Sequence, residues 1–579
     1  MSDTQKFGDV RRNFDLLADA FLREGVDTVF ALLGDANMHW ATRIAEQGCG
    51  MTYVRHEHAA VAAAMAYARL SGKVGVASVT CGPGLTNTLT ALPAAAIARV
   101  PLVVFAGEPA IKAAWYNQMI EQAPFATASG AAYHRMHDPS RFVQTVRDAF
   151  VQARLERRPV VLGVPMDLQD LPASLEIAWP RSAQDLLGQR MAMPPNLNAV
   201  QELLELINAA SRVVVLGGLG AKDAVGPARH LAERCDGLLA TTLPARGLYN
   251  DDPFSVGMAG GLASPLAGEL LAEADLVLAF GASLAHHTSM GGKVWPKAQV
   301  VQIDVDPLII NQGRAVADRF VQADAGLTIE ALLARLPPRK RAWRTPDLAK
   351  KLQDAPAFAE TLGPDEVGAF DPRSVVMALD SVIPPDWMII NTSGHVSGFT
   401  AQMQRRPFGH FLTIREFGAI GNGTSFALGA AAAQPDKPVV LVDGDGSLLM
   451  HIQEMETIAR HKLPVLIAVL NDGAYGSAQH GLCCKCIFQN KRKGTWYAGI
   501  VRSHNVKNRQ HIQQHHGRHH FAGHLPDTFY SAENDQRRDQ HQDKPCGKVG
   551  VKGVGEAQSV GHQHHLAYDL CQLVGLENR

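Results

Sequence analysis

The chain has no long hydrophobic run. Its apolar stretches, such as Pro438–Val442, are short and bounded by Gly, Pro or charged residues. None approaches the ~20 apolar residues of a membrane-crossing helix. The start, Met1-Ser-Asp-Thr-Gln-Lys, has no basic stretch followed by an apolar one, so no secretory leader is read there. Cysteine is scarce: eight in 579 residues, with only Cys49, Cys81 and Cys235 before residue 480. That scarcity excludes a disulfide framework. Charge of either sign is not in excess, since the net charge is −1 and charged residues make up 19 %. Nothing in that balance implies nucleic acid or a membrane surface as a partner. Together these absences predict a soluble, cytoplasmic protein.

What is present is apolar material in the right places. The 46 % hydrophobic content is enough for large cores, and a chain of this length suggests about three or four domains. From Gly25 to Gly163, short apolar runs alternate with helical stretches such as Ala59–Leu70. The runs Val29–Leu33, Val74–Val79, Leu102–Ala106 and Val160–Val164 each end at Gly, Pro or Asp, or close to one. Near-continuous apolar strands separated by helices predict a parallel sheet covered on both faces. The pattern repeats in a second segment, with Val213–Leu216, Leu276–Phe280 and Val300–Asp304. It repeats again in a third, with Trp387–Ile390, Val439–Asp443 and Val465–Leu470. Pro-rich breaks fall at 180–195 and between Pro338 and Asp371. The expected fold class is therefore α/β, with three doubly wound parallel-sheet domains at 1–175, 190–345 and 370–550.

The texture changes after Ser477. Residues 478–579 hold 12 of the 24 histidines and five of the eight cysteines. Apolar periodicity fades there, which reads either as a non-native tail, such as a frameshift leaves, or as a genuine His-rich extension. Cys483-Cys484-x-Cys486 and His515-His516-x-x-His519-His520 lack the paired spacing of a structural zinc module and are read as composition.

The strongest chemical signal is Gly444-Asp445-Gly446, followed 24 residues later by Asn471-Asp472. Each part closes an apolar strand, and two strands ending at one edge of a parallel sheet share a crevice. A hard cation takes oxygen ligands, and Asp445 and Asn471 supply a carboxylate and an amide oxygen. The glycines let backbone approach a phosphate group. A second signal is Arg55-His56-Glu57-His58, with Thr80-Cys-Gly-Pro-Gly84-Leu-Thr-Asn87 downstream. On its own, Glu57 could equally be a helix-start acid favoured by the dipole. His56 and His58 read as helix-start or structural histidines.

These motifs resemble the thiamine-diphosphate-dependent enzymes of the acetolactate synthase type, over roughly residues 10–477. The resemblance implies thiamine diphosphate and Mg²⁺ as cofactors. It gives Asp445, Asn471 and the Gly473 carbonyl to the metal, and Gly444, Gly446 and Ser447 to the diphosphate. It gives Glu57 to catalysis, as the carboxylate that exchanges a proton with N1′ of the aminopyrimidine ring. Gly82, Pro83, Gly84, Asn87 and Gln118 fall where the first domain faces the cofactor. Gly418 and Ile420, in Arg415-Glu-Phe-Gly418-Ala-Ile420, fall where an apolar side chain wedges between the two cofactor rings. Gly394-His395 falls near the diphosphate. True acetolactate synthases also carry FAD in the central domain, while many relatives do not. Arg246, Gly281 and Asp304-Val-Asp306-Pro307 stand near such contacts, but Gly217-Gly-Leu-Gly220 does not complete a dinucleotide fingerprint. FAD is left open.

The implied reaction condenses two 2-oxo acids such as pyruvate with loss of CO2, at active sites shared between the subunits of a homodimer or homotetramer. The alternatives are a 2-oxo-acid decarboxylase and an inactive homologue with a disrupted C-terminus. The sequence departs from well-marked acetolactate synthases at Gly34-Asp35-Ala36, where Pro-Gly-Gly is common.

Overall fold

A computed structural model describes residues 10–174, 176–188, 192–307, 316–339, 342–358 and 370–476, and the backbone of 497–502. The textural break expected after Ser477 therefore lies, apart from one strand, outside the described residues. The described residues fall in one compact unit ending at His504. Among them, no helix is long and apolar enough to cross a membrane.

Three sheets form the frame. The first contains β1 (Thr28–Ala31), β2 (Gly50–Tyr53), β3 (Gly75–Val79), β4 (Leu102–Glu108), β5 (Ala132–Arg135) and β6 (Pro159–Pro165), in the order β2-β1-β3-β4-β6-β5. The second contains β7 (Val213–Gly217), β8 (Leu238–Thr241), β9 (Ser255–Met258), β10 (Leu276–Phe280), β11 (Gln299–Asp304) and β12 (Arg319–Gln322), in the order β12-β11-β10-β7-β8-β9. All pairings in these two sheets are parallel. The third contains β13 (Met388–Asn391), β14 (Phe411–Thr413), β15 (Val439–Gly444), β16 (Val465–Asn471) and β17 (Tyr497–Arg502), in the order β14-β13-β15-β16-β17. The expected parallel pattern holds there up to β16, but β17 runs antiparallel, pairing Asn471 with Tyr497 and Leu466 with Arg502. An antiparallel edge strand on an otherwise parallel sheet is a common ending.

Strand order matters for function. In each sheet the chain winds one way and then reverses: between β1 and β3, between β7 and β10, and between β13 and β15. At such switch points the loops leave in opposite directions and open a crevice at the carboxyl ends of the strands.

The first and third domains share a core through two small-residue helices. Helix Glu57–Ser71 reads EHAAVAAAMAYARLS and is buried around its whole circumference from Glu57 to Ala68. Alanine gives it helical propensity and little bulk. His56 caps it, its Nδ1 accepting from the His58 amide, and Gly72 ends it at φ +73°. It packs on helix Gly423–Ala433 so closely that a Cβ on Gly429 would lie 2.0 Å from the Ala63 carbonyl oxygen. Val61, Met65 and Leu92 thus share one cluster with Ile390, Phe426 and Ile467.

Candidate active site

The first-domain residues gather at the β1/β3 switch point. Glu57 opens its helix and is buried, at 8 % exposure, with its Oε2 accepting from Asn87 Nδ2 at 2.9 Å. Asn87 ends the loop that begins at Thr80. Gly82 within that loop has φ +59°, and a Cβ there would stand 2.2 Å from the Gln118 carbonyl oxygen. The Gly82 amide donates to Gln122 Oε1 at 2.9 Å, and the Cys81 thiol donates to Gln118 Oε1 at 3.2 Å. Gly84 is pressed against Thr80. The structure therefore brings Glu57, Gly82, Pro83, Gly84, Asn87 and Gln118 into one neighbourhood. Gln122, which sequence reading missed, anchors the loop. Four residues from Gln118, it carried no motif of its own.

The third-domain residues gather at the β13/β15 switch point, around a cavity of about 270 Å³. Ser393, Gly394, His395 and Val396 line it from the end of β13, and Gly444, Asp445, Gly446 and Ser447 from the end of β15. Ile420 lines it too, while Gly418 does not. Two helices begin at its wall, His395–Thr400 after Gly394 and Asp445–Met450 after Gly444. Their free amides favour an anion there. The Ser393 hydroxyl is buried without a hydrogen-bond partner in the protein. Such an orphan fits a ligand oxygen.

Asp443, below the cavity, holds this loop together. Its carboxylate accepts from Thr392 Oγ1 at 2.9 Å, Ser447 Oγ at 3.0 Å and the Gly444 amide at 2.9 Å. Burial nevertheless pushes its pKa up to about 6, against the lowering effect of those bonds. Ser447 Oγ in turn accepts from the Gly421 amide at 2.9 Å, tying the Ile420 turn to the Gly444–Gly446 loop. Ser447 is thus a brace as well as a wall.

The cavity lining differs by one residue from the set that the resemblance gave to the metal. Asn471, exposed, ends β16, and its Oδ1 accepts from the Gly473 amide at 2.9 Å. Neither Asn471 nor Gly473 lines the cavity, whereas Leu470, Asp472 and Ala474 do. Asp472 lies beside Asp445. Burial raises the Asp472 pKa, and the neighbouring Asp445 carboxylate raises it further. Two carboxylates pressed together invite a hard cation.

Comparison with known proteins decides the family. Residues 11–127 match the thiamine pyrophosphate enzyme N-terminal TPP binding domain, 200–332 the central domain, and 392–516 the C-terminal TPP binding domain. The acetolactate synthase large subunit of Parasynechococcus marenigrum (strain WH8102) is 34 % identical over 474 residues, covering 79 % of this chain and 75 % of that protein. The chloroplastic acetolactate synthase of Arabidopsis thaliana is 30 % identical over 485 residues, covering 80 % and 71 %. Acetolactate synthase 1 of Oryza sativa subsp. japonica is also 30 % identical over 485 residues, covering 80 % and 73 %. The chain belongs to the thiamine-diphosphate-dependent enzymes of the acetolactate synthase type. The match of the third domain runs to residue 516, beyond the point where the sequence texture changes.

For this enzyme the third-domain cavity fits a diphosphate and a divalent cation: two helix N-termini, an orphan hydroxyl and two carboxylates meet there. The central domain does not fit a flavin dinucleotide in the same way. The Gly218 and Gly220 amides, which a pyrophosphate would need, donate to the Phe280 and Gly281 carbonyls at 2.9 and 3.1 Å. A Cβ on Gly218 would lie 2.1 Å from the Gly281 oxygen, so these glycines serve loop-on-loop packing. Strand β8 ends at Thr241-Thr242, with no carboxylate for a ribose. Arg246, a candidate flavin contact, reaches the Met403 carbonyl and covers the Phe411 ring at 4.3 Å. Asp306, another, pairs with Arg99 of the first domain. Both join domains.

Proposed function

We propose that this enzyme is a decarboxylating carboligase of the acetolactate synthase type. A 2-oxo acid donor, pyruvate in the simplest case, loses CO2, and its acyl unit is joined to the carbonyl carbon of an acceptor. With a second pyruvate as acceptor the product is 2-acetolactate. The observation that carries the reading is the β13/β15 cavity, where anion-seeking helix termini meet paired carboxylates.

In this reading Ser393, Gly394, His395 and the Gly444–Gly446 backbone hold the diphosphate, and Asp445 and Asp472, with the Ala474 carbonyl, hold Mg²⁺. Ile420 presses on the cofactor rings. When bound, thiamine diphosphate supplies the carbon nucleophile and electron sink that 2-oxo-acid decarboxylation requires. Glu57 exchanges a proton with N1′ of the pyrimidine, its carboxylate oriented by Asn87. No flavin takes part, and the protein works in the cytoplasm.

The active site is shared between two copies of the chain. Glu57 does not line the cavity that holds Asp445. Exposed apolar side chains flank both halves. Trp115, at 79 %, and Met119 lie beside the first; Phe417, Leu449 and Tyr475 lie beside the second. Large exposed apolar groups clustered near a site call for a partner surface.

The test is calorimetric titration of the purified protein with thiamine diphosphate, with and without Mg²⁺, followed by CO2 release from pyruvate and product identification. Saturable, Mg²⁺-dependent binding with 2-acetolactate formation supports the reading. Aldehyde as the sole product would make the enzyme a simple decarboxylase. Absence of binding would sink the cofactor assignment.

A further inference from the structure

The proposed chemistry leaves a buried acid at the cofactor cavity without a chemical task. Asp443 is 1 % exposed and does not line the cavity itself. Its Oδ1 accepts from Thr392 Oγ1 and the Gly444 amide, and its Oδ2 from Ser447 Oγ. These partners come from just after β13, from the end of β15 and from the helix Asp445–Met450, so one carboxylate sits where three walls of the cavity meet. A Cβ on Gly423 would lie 2.5 Å from its Oδ2, so helix Gly423–Ala433 also begins against it. Among the described residues no Lys, Arg or His pairs with it. A buried carboxylate without a cation costs stability, and bracing a loop needs no charge. The charge calls for a reason beyond the fold.

Ser447 shows what the charge does. Its hydroxyl gives its proton to Asp443 at 3.0 Å, which leaves its lone pairs for the Gly421 amide, 2.9 Å away. A hydroxyl that donates to a carboxylate is also the stronger acceptor. The Gly421 carbonyl meets His451 Nδ1 at 2.8 Å. The Gly421 peptide groups are thus gripped from the start of helix Asp445–Met450 and from just past its end. Gly421, at φ +89°, directly follows Ile420, which lines the cavity together with Gly444, Asp445, Gly446 and Ser447. Asp443 is not in contact with Ile420; it reaches that turn through Ser447.

We infer that Asp443 is a positioning residue: through the Ser447 hydroxyl it fixes the Ile420 turn against the diphosphate loop, so that a cofactor held by its diphosphate meets Ile420 in the geometry from which C2 loses its proton. The inference rests on the cofactor placement proposed above. It concerns the rate at saturation, not affinity, because Asp443 touches neither the diphosphate nor the cation and acts only on where Ile420 stands.

The test uses Asp443→Asn in the full chain. Asparagine keeps an Oδ1 acceptor for Thr392 and Gly444 but offers Ser447 an N–H in place of an acceptor. In the protein without cofactor, amide hydrogen exchange over residues 415–423, read by mass spectrometry, should quicken by about fivefold or more, while exchange over β13 stays as in the wild type. With thiamine diphosphate and Mg²⁺ both saturating, proton–deuterium exchange at C2, read by NMR, should slow about tenfold. In an Ile420→Ala background the same substitution should slow it no further, because the residue through which Asp443 acts is gone. Ser447→Ala, which also frees the Gly421 amide, should match Asp443→Asn in both readouts and carries the test should that variant fail to fold. Unchanged exchange over 415–423 overturns the inference, as does C2 exchange at the wild-type rate, an additive loss in the double variant, or a change confined to the cofactor Kd. Binding of thiamine diphosphate to the wild type judges the cofactor placement separately. Should none bind, that reading falls, and exchange over 415–423 still decides whether Asp443 holds the Ile420 turn.

Discussion

Three histidines at the junction of the first and third domains should make the fold acid-sensitive. His58 is buried beside Glu57, with Nε2 2.5 Å from Asn422 Oδ1. The His451 ring stacks on it at 4.6 Å, and His56 lies 5.3 Å from His451. His451 Nδ1 in turn contacts the Gly421 carbonyl at 2.8 Å. Burial, and then the neighbouring His451, lower the His58 pKa from 6.5 to about 4. The unfolded chain therefore takes up a proton at higher pH than the folded one. Stability from this site is complete above about pH 6.5 and is lost as pH falls toward about 4. A fall from 6.5 to about 4 amounts to about 3 kcal/mol in all, of which about 2 kcal/mol is gone by about pH 5. Urea unfolding of the wild type and of His58→Gln, followed by tryptophan fluorescence at about pH 7.5 and about pH 5, measures this. Glutamine keeps a donor for Asn422 but cannot charge, so the loss between the two pH values should shrink by about 2 kcal/mol. If both proteins lose the same stability on acidification, the reasoning about His58 is wrong.

Three further outcomes are expected. Glu57→Gln should still bind thiamine diphosphate, but proton–deuterium exchange at its C2 should slow by about 100-fold or more, read by NMR; unchanged exchange would remove Glu57 from the chemistry. Asp472→Ala should raise the Kd for Mg²⁺ in the cofactor complex by at least about tenfold, about 1.4 kcal/mol, whereas Asn471→Ala should raise it much less; the opposite order in a calorimetric titration would restore the reading from spacing alone. Gly429→Ala places a methyl 2.0 Å from the Ala63 carbonyl oxygen and should destabilise the interdomain core by about 1–3 kcal/mol, seen as a fall of several degrees in Tm.

Much of this molecule was legible because parallel strands buried on both faces spell themselves out. Val439–Val442 and Val465–Leu470 are continuous apolar runs, and each ends at the residues that line the cavity. The Glu57 neighbourhood was legible because its glycines are required by close approach: Gly82 has no room for a side chain beside Gln118. The joints between domains were not legible. Arg246, 5 % exposed, reads in sequence as a charged residue near a cofactor, yet its guanidinium lies against Phe411 and the Met403 carbonyl. Nothing local to Leu243–Leu248 encodes a partner more than a hundred residues away. The buried Arg406–Asp380 pair, at 3.0 Å, is silent in the sequence for the same reason.

The loop after β16 shows where a spacing motif stops being sufficient. Counting from Gly444-Asp445-Gly446 leads to the Asn471-Asp472 pair but does not choose between its members. Strand geometry does: successive side chains on β16 point to opposite sides, so with Leu470 turned into the cavity, Asn471 must turn out and Asp472 in. An amide turned outward then does what short polar side chains do at strand ends, accepting from the backbone two residues on, at Gly473. Gly473, at φ +64°, makes that turn easily, and the turn carries Asp472 and Ala474 back over Asp445. Asn471 is thus the residue that makes the turn, and Asp472 the one whose carboxylate the turn delivers to the cavity.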